Sequence, residues 1–224
     1  MTSHRKKNRL GAYAGLDLSL AGTGGVMLDG RGELVSVLAF CTSKREVEKA
    51  QEPHQLVLSP PVKQGDPKSM WKRTVFVAAT IRAWMQAHAE PGCLVGIEDH
   101  AFGARGTSIY QLGHLHGMVR RDLQEADKHW LLIAPTELKS AVTGKGNADK
   151  NAMMKVPTPK LDQKAFGAST RNNVVDAYWL ARCAHAWGEL HRGGIRMGDL
   201  PESMSKVMQP HAKKPGLLKR EVLP

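Results

Sequence analysis

A chain of 224 residues with 42% hydrophobic side chains can bury one sizeable core but not two full domains. Its 32 Lys and Arg against 21 Asp and Glu leave a net charge of +11, which favours a polyanionic partner, nucleic acid before an acidic membrane surface. No segment approaches the roughly 18 apolar residues of a membrane span, and Cys41, Cys93 and Cys183 are spaced for neither a disulfide framework nor a CxxC zinc site.

Residues 1–10, with His4, Arg5, Lys6, Lys7 and Arg9, read as a basic arm. No apolar signal region follows it, so a cytoplasmic protein is expected. Tyr13 to Leu20, Gly24 to Leu28 and Leu34 to Phe40 read as three strands joined by short turns, with Asp29-Gly30 as a hairpin signal. Residues 43–67 are polar, carry Pro53, Pro60, Pro61 and Pro67, and read as a long loop. Met70, Trp71, Thr74, Val75, Ala78, Ile81, Trp84 and Met85 recur at helical spacing, which predicts a helix from Lys68 to His88 with its tryptophans in the core.

Leu94 to Ile97 is a short apolar strand ending at Glu98, and a helix from Ser108 to Glu125 and a strand from Trp130 to Ile133 follow. Pro135 opens a short helix that stops at Gly144; Asp149 to Met154 is a weaker one, and 155–170 is a basic loop with prolines. A helix is predicted over Asn172 to Leu190, and after Gly193-Gly194 the composition turns polar, as in a tail that lies over the surface or is partly disordered. Cys93 and Cys183 sit among apolar residues and are expected to be buried thiols. A meander followed by alternating strand and helix implies a mixed sheet with helices on its faces.

Three acids interrupt apolar runs: Asp17 in Gly15-Leu16-Asp17, Glu98 after Leu94-Val95-Gly96-Ile97, and Asp176 in Val174-Val175-Asp176-Ala177. Burying a carboxylate requires a cation, a set of hydrogen bonds or a metal. Each acid alone also fits a structural hydrogen-bond acceptor. Together they make an oxygen-rich set of the kind Mg²⁺ prefers.

Residues 134–150 read Ala-Pro-Thr-Glu-Leu-Lys-Ser-Ala-Val-Thr-Gly-Lys-Gly-Asn-Ala-Asp-Lys. Glycines there allow a backbone to approach a phosphate, and Lys139, Lys145 and Lys150 supply positive charge. This stretch resembles that of the RuvC-type Holliday junction resolvases, matching at Pro135, Leu138, Lys139, Ala141, Val142, Gly144, Gly146, Ala148 and Lys150. A second match is Ser108, Leu112, Gly113 and Gly117, on the helix that follows the family's catalytic glutamate.

The resemblance spans roughly 13–190 and implies an α/β, RNase H-like fold: a mixed five-stranded sheet flanked by helices on both faces. The implied division is an arm at 1–10, a nuclease domain at 11–192 and a tail at 193–224. The implied activity is structure-selective cutting of four-way DNA junctions by a homodimer, in recombination and repair, with no membrane partner. Asp17, Glu98 and Asp176 carry over as catalytic, metal-holding acids, and Lys139 and Lys150 as catalytic and DNA-contacting lysines, with Lys145 a further DNA contact. The cofactor implied is Mg²⁺, with Mn²⁺ substituting, as two ions about 4 Å apart. Gly113 and Gly117 carry over to a dimer interface, with intramolecular helix–sheet packing as the alternative.

Two departures stand out. Where the family has Asp or His three residues before its last acid, this chain has Asn173, a neutral oxygen donor; Asp99 beside Glu98 could make up the charge, but only if the strand has already ended. The family's stacking aromatic falls one residue late, at Phe102, in a loop that also carries Arg105. Phe102 is expected to pry or stack a base and Arg105 to contact DNA; the competing reading makes Phe102 a lid on the core. His100, beside the site, is the histidine to test as a neighbour of the metal. Alternative functions are an RNase H-like nuclease for flaps, forks or hybrids, and a junction-binding protein weak in catalysis. An actin-like ATPase would need a second phosphate hairpin, and none is found.

Overall fold

The first strand, β1 (Ala12–Asp17), is buried along its whole length, because the sheet is covered on both sides. Its alternate residues feed two cores: Tyr13 faces one cluster, and Ala12, Ala14 and Leu16 face the other. In the computed structural model, residues 12–20, 22–63, 65–89, 92–99 and 107–212 are described. β2 (Gly24–Asp29) and β3 (Leu34–Cys41) complete the expected antiparallel meander. The β2–β3 turn closes where Asp29 was expected to close it: its Oδ1 accepts the amides of Arg31 and Glu33, at 2.8 and 2.9 Å.

The 43–67 segment departs from the expected loop. It forms a short helix, α1 (Lys44–Lys49), and a strand, β4 (His54–Leu58), that pairs parallel with β3. The sheet therefore has six strands rather than five, in the order β4-β3-β2-β1-β5-β6. β4 is an edge strand with a single buried residue, Leu56, which is why its composition hides it.

Helix α2 (Pro67–His88) is capped by the Asp66 carboxylate, which accepts the Lys68 amide. Its buried stripe is Thr74, Val77, Ala78, Ile81, Trp84 and Met85. Trp71 and Val75, expected in the core, are 52% and 38% exposed. β5 (Leu94–Glu98) pairs parallel with β1, and β6 (His129–Ile133) parallel with β5; α3 (Thr107–Glu125) connects the two. Helices α2 and α3 pack on one face of the sheet. The long helix α6 (Ala168–Arg192) lies across the other, joined by α4 (Pro135–Thr143) and α5 (Lys150–Lys155). All three cysteines are buried and unpaired, as expected of Cys93 and Cys183.

α6 begins at Ala168, four residues before the expected start, because a distant acid caps it. Glu46 of α1 accepts the Gly167 amide and the Thr170 hydroxyl, both at 3.2 Å. At the other end Tyr13 donates to Glu189 at 2.8 Å, and Arg192 contacts both. The segment expected to be a surface tail contributes a further helix, α7 (Glu202–Ala212). Met204, Val207 and Met208 are buried there, and Ser203 donates to the Ala141 carbonyl at 2.8 Å, which ties α7 to α4. Residues 1–10 and 213–224 lie outside the described residues. No described helix is long and apolar enough to cross a membrane.

Candidate active site

The backbone brings two of the acids together before any side chain is considered. Gly15 of β1 is paired with Gly96 of β5, and Leu16 with Ile97, in parallel register. Asp17 and Glu98 therefore follow at the same level of two neighbouring strands. Both point to the face that Tyr13 and Leu94 share with α6, because strand side chains alternate.

The third acid arrives from above. α6 crosses the sheet over three glycines, and its backbone comes so close that a Cβ on Gly24 would lie 2.4 Å from the Asn173 carbonyl oxygen. A Cβ on Gly15 would lie 2.0 Å from the Ala177 oxygen, and one on Gly96 2.4 Å from the Leu180 oxygen. Only glycine permits such an approach. It seats Asp176, one residue before Ala177, over the two strand ends.

The charges of the three acids act on one another. Asp17 is 7% exposed. Burial first, then the charges of Glu98 and Asp176, push its carboxyl well above the ordinary range, against the pull of Lys150. Glu98 is pushed up to about 7 by burial and then by Asp176, with Lys150 and Lys139 opposing. Asp176 is raised to about 6 by burial, again against Lys150 and Lys139. Asp17 and Glu98 share a hydrogen bond. Three carboxylates and two lysines thus form one interacting set in which the lysines do not fully offset the cost of burial and crowding.

The motif at 134–150 delivers those lysines. Glu137 accepts the Ala134 amide at 2.9 Å and fixes the start of α4, which presents the half-buried Lys139. Gly144 ends α4 with a φ of 79°. Gly146 turns the chain back over α4; a Cβ there would lie 3.2 Å from the Thr136 carbonyl oxygen. Asp149 caps α5 through the Ala152 amide at 2.7 Å, which sets the exposed Lys150 at the helix start. Both glycines thus have a purpose inside the chain, apart from the phosphate approach expected of them.

Other expected residues stand apart from this set. Lys145 is exposed on the turn, and the lysines that chiefly act on the three acids are Lys150 and Lys139. The Asp99 amide still donates to the Ile133 carbonyl at 2.8 Å, so the ladder runs past Glu98 and Asp99 leaves the strand on the opposite side. Asn173 donates its side-chain amide to the Gly22 carbonyl in the β1–β2 turn. Gly113 and Gly117 do not pack on the sheet: a Cβ on either would meet nothing within 4 Å. Phe102, Arg105 and His100 lie outside the described residues. Among the described residues no group of three or more His, Cys, Asp or Glu side chains is drawn tightly enough to hold an ion.

Sequence reasoning missed Gly15, Gly96, Gly22, Glu46 and Arg73. The first two had a signal, since each strand acid follows a glycine by two residues, Gly15-Leu16-Asp17 and Gly96-Ile97-Glu98. The others act through contacts distant in sequence, which no local pattern marks.

No protein-family model matches the chain, and no curated protein does. Among solved structures, Thermus thermophilus RuvC in complex with a Holliday junction substrate is similar at 16% identity, covering 82% of this chain and 96% of that one, with a TM-score of 0.51. A second Thermus thermophilus RuvC structure is similar at 18% identity over the same shares, with a TM-score of 0.47. The first likeness, with the mixed six-stranded sheet between two helical layers, shows that this chain has the RNase H-like fold seen in that structure.

Proposed function

We propose that this chain is a metal-dependent endonuclease that resolves four-way DNA junctions as a homodimer. The observation that carries the reading is the meeting of Asp17, Glu98 and Asp176 with Lys139 and Lys150, on a fold that Thermus thermophilus RuvC uses with a Holliday junction substrate.

The chemistry of the donor set suits a hard dication, and the three acids would have to close further around one to hold it. The set offers three carboxylates, all raised by burial, and Mg²⁺ takes oxygen ligands of this kind. Asp17, Glu98 and Asp176 would hold it once the hydrogen bond between Asp17 and Glu98 opens. A bound pair of ions supplies an activated water and stabilises the leaving oxygen in phosphodiester hydrolysis. Lys150, exposed at the start of α5, binds the phosphate next to the acids, and Lys139 holds the negative charge of the set in check. The net charge of +11 supplies the sequence-independent part of DNA binding, which weakens as salt rises.

For the dimer, the support is the outer face of α2 and α3. Gly113 and Gly117 are open there, and Tyr110 and Trp71 are 73% and 52% exposed. An isologous pairing through this face gives a two-fold junction two equivalent active sites.

The test is cleavage of a labelled mobile four-way junction by the wild type and by Asp17→Asn, in Mg²⁺ or Mn²⁺, with duplex, flap and hybrid controls. Symmetric nicks in the junction, lost in the variant while binding stays, are expected. Preferential cutting of flaps or hybrids would move the assignment to another branched substrate. Junction binding without cutting in either metal would make the protein a junction-binding scaffold.

A further inference from the structure

The turn between β1 and β2 follows Asp17 directly, and it is held from both sides of the sheet. From the α6 side, Asn173 donates its side-chain amide to the Gly22 carbonyl. From the α2 side, Arg73 donates through Nη1 to the Leu20 carbonyl at 3.4 Å and through Nε to the Pro60 carbonyl at 2.6 Å. Within the turn, the Thr23 hydroxyl donates to the Ser19 carbonyl at 2.7 Å and accepts the Ser19 amide at 3.1 Å. The Gly22 amide donates to the Ser19 hydroxyl at 3.2 Å. The bonds from Asn173, Arg73, Thr23 and Gly22 hold the backbone just past Asp17, and the bond to Pro60 holds the Arg73 side chain in place.

We propose that Asn173 is a positioning residue for Asp17, clamping the β1–β2 turn together with Arg73, and not a metal ligand replacing a lost carboxylate. This rests on the nuclease reading above, which gives Asp17 its work. Asn173 and Asp176 are three residues apart on α6, so the same helical turn that presents one acid holds the loop behind another. The chemistry of the position requires a donor. An ionised aspartate has no N–H to give, and at residue 173 it would set an acceptor against the Gly22 carbonyl, another acceptor. An ionised carboxylate at 173 cannot make the contact that holds this turn. The chain has a neutral clamp where a fourth charge would otherwise enlarge a set already strained by its own repulsion.

Gly22 provides an independent handle, because a Cβ there would lie 2.6 Å from the Asn173 amide nitrogen and displace it. The experiment compares the wild type with Asn173→Asp, Asn173→Ala, Gly22→Ala and the Gly22→Ala/Asn173→Ala double variant. Three quantities are read: kcat and KM on the four-way junction, amide hydrogen exchange of residues 18–24 without metal, and Ca²⁺ binding by calorimetry.

Each single variant is expected to lower kcat by about 10- to 100-fold, through misplacement of Asp17. KM should stay within about twofold, since ground-state DNA binding is untouched. Exchange in 18–24 should quicken in all of them. The double variant should be no worse than Asn173→Ala, because removing the amide frees the space that the new methyl needs. An Asn173→Asp variant that binds Ca²⁺ more tightly, keeps or raises kcat and leaves exchange unchanged would overturn the proposal in favour of a ligand. Should the wild type cut none of the substrates, the nuclease reading falls, and exchange alone decides: slow exchange in both Asn173→Ala and Gly22→Ala would show that no clamp exists.

Discussion

The two faces of the sheet are built in different ways. On the α6 face, helix backbone meets strand backbone across Gly24, Gly15 and Gly96, with no room for a methyl group. On the α2–α3 face, large side chains such as Met27, Leu38, Ile81, Trp84 and Leu115 fill the space, and they leave a cavity of about 230 Å³ beside Ala78, Met85 and Leu123. All three candidate catalytic acids belong to the first face. Side-chain packing can adjust by changing rotamers, whereas backbone against backbone has one separation. Acids that must share a charge are therefore held by the part of the molecule least able to yield.

The largest expected effect breaks that contrast directly. Gly15→Ala should cost about 3 kcal/mol or more, because the methyl meets α6 backbone and can be relieved only by moving the helix. Ala78→Val, which adds volume beside the cavity on the other face, should change stability by less than about 1 kcal/mol. Urea unfolding of both variants compares them, and equal costs would erase the difference between the faces.

An intermediate effect sharpens the comparison through charge. Glu98 keeps its proton up to about pH 7 in the folded chain because of burial and then Asp176, against an ordinary value of 4.5. Between those values the unfolded state releases a proton that the native state retains. Native stability therefore falls as pH rises through this window, and the full penalty stands above it. Glu98→Gln should raise the stability of the metal-free protein by roughly 1–3 kcal/mol at pH 8 and give no gain at pH 4. Thermal melts in EDTA test this; a gain of equal size at both pH values would mean that the cost lies elsewhere.

The smallest effect concerns how α6 is placed. Glu46→Ala removes the carboxylate that accepts the Gly167 amide and the Thr170 hydroxyl, and should cost about 1 kcal/mol with fraying confined to the first turn of α6. Hydrogen exchange of residues 168–171 reads it, and unchanged protection there would remove the cap from the account.

What the sequence disclosed follows the range of each interaction. Asp17, Glu98 and Asp176 were legible because a charge inside an apolar run is a local anomaly, and Lys139 and Lys150 because the 134–150 stretch resembles a known family. β4 was not, since an edge strand with one buried residue has no apolar alternation to display. α7 was masked by Pro201 and Pro210, although Met204, Val207 and Met208 have helical spacing. The stripe on α2 was read too broadly, because periodicity marks an apolar face without saying what covers it; Trp71 and Val75 lie on its exposed margin. The early start of α6 depends on a carboxylate 121 residues away, beyond any local pattern.

The shared level of Asp17 and Glu98 bears on how the protein would fail when heated. Their backbones are held apart by the interstrand spacing of the hydrogen-bond ladder itself, about 4.8 Å in any sheet. That spacing has no intermediate values: strands are paired in this register or they are not paired. Loosening of α2, α3 or the edge strands leaves it intact, so warming below the melting transition erodes the surroundings of the two carboxylates without changing their separation. Inactivation by heat should then coincide with the cooperative loss of the central strands rather than precede it.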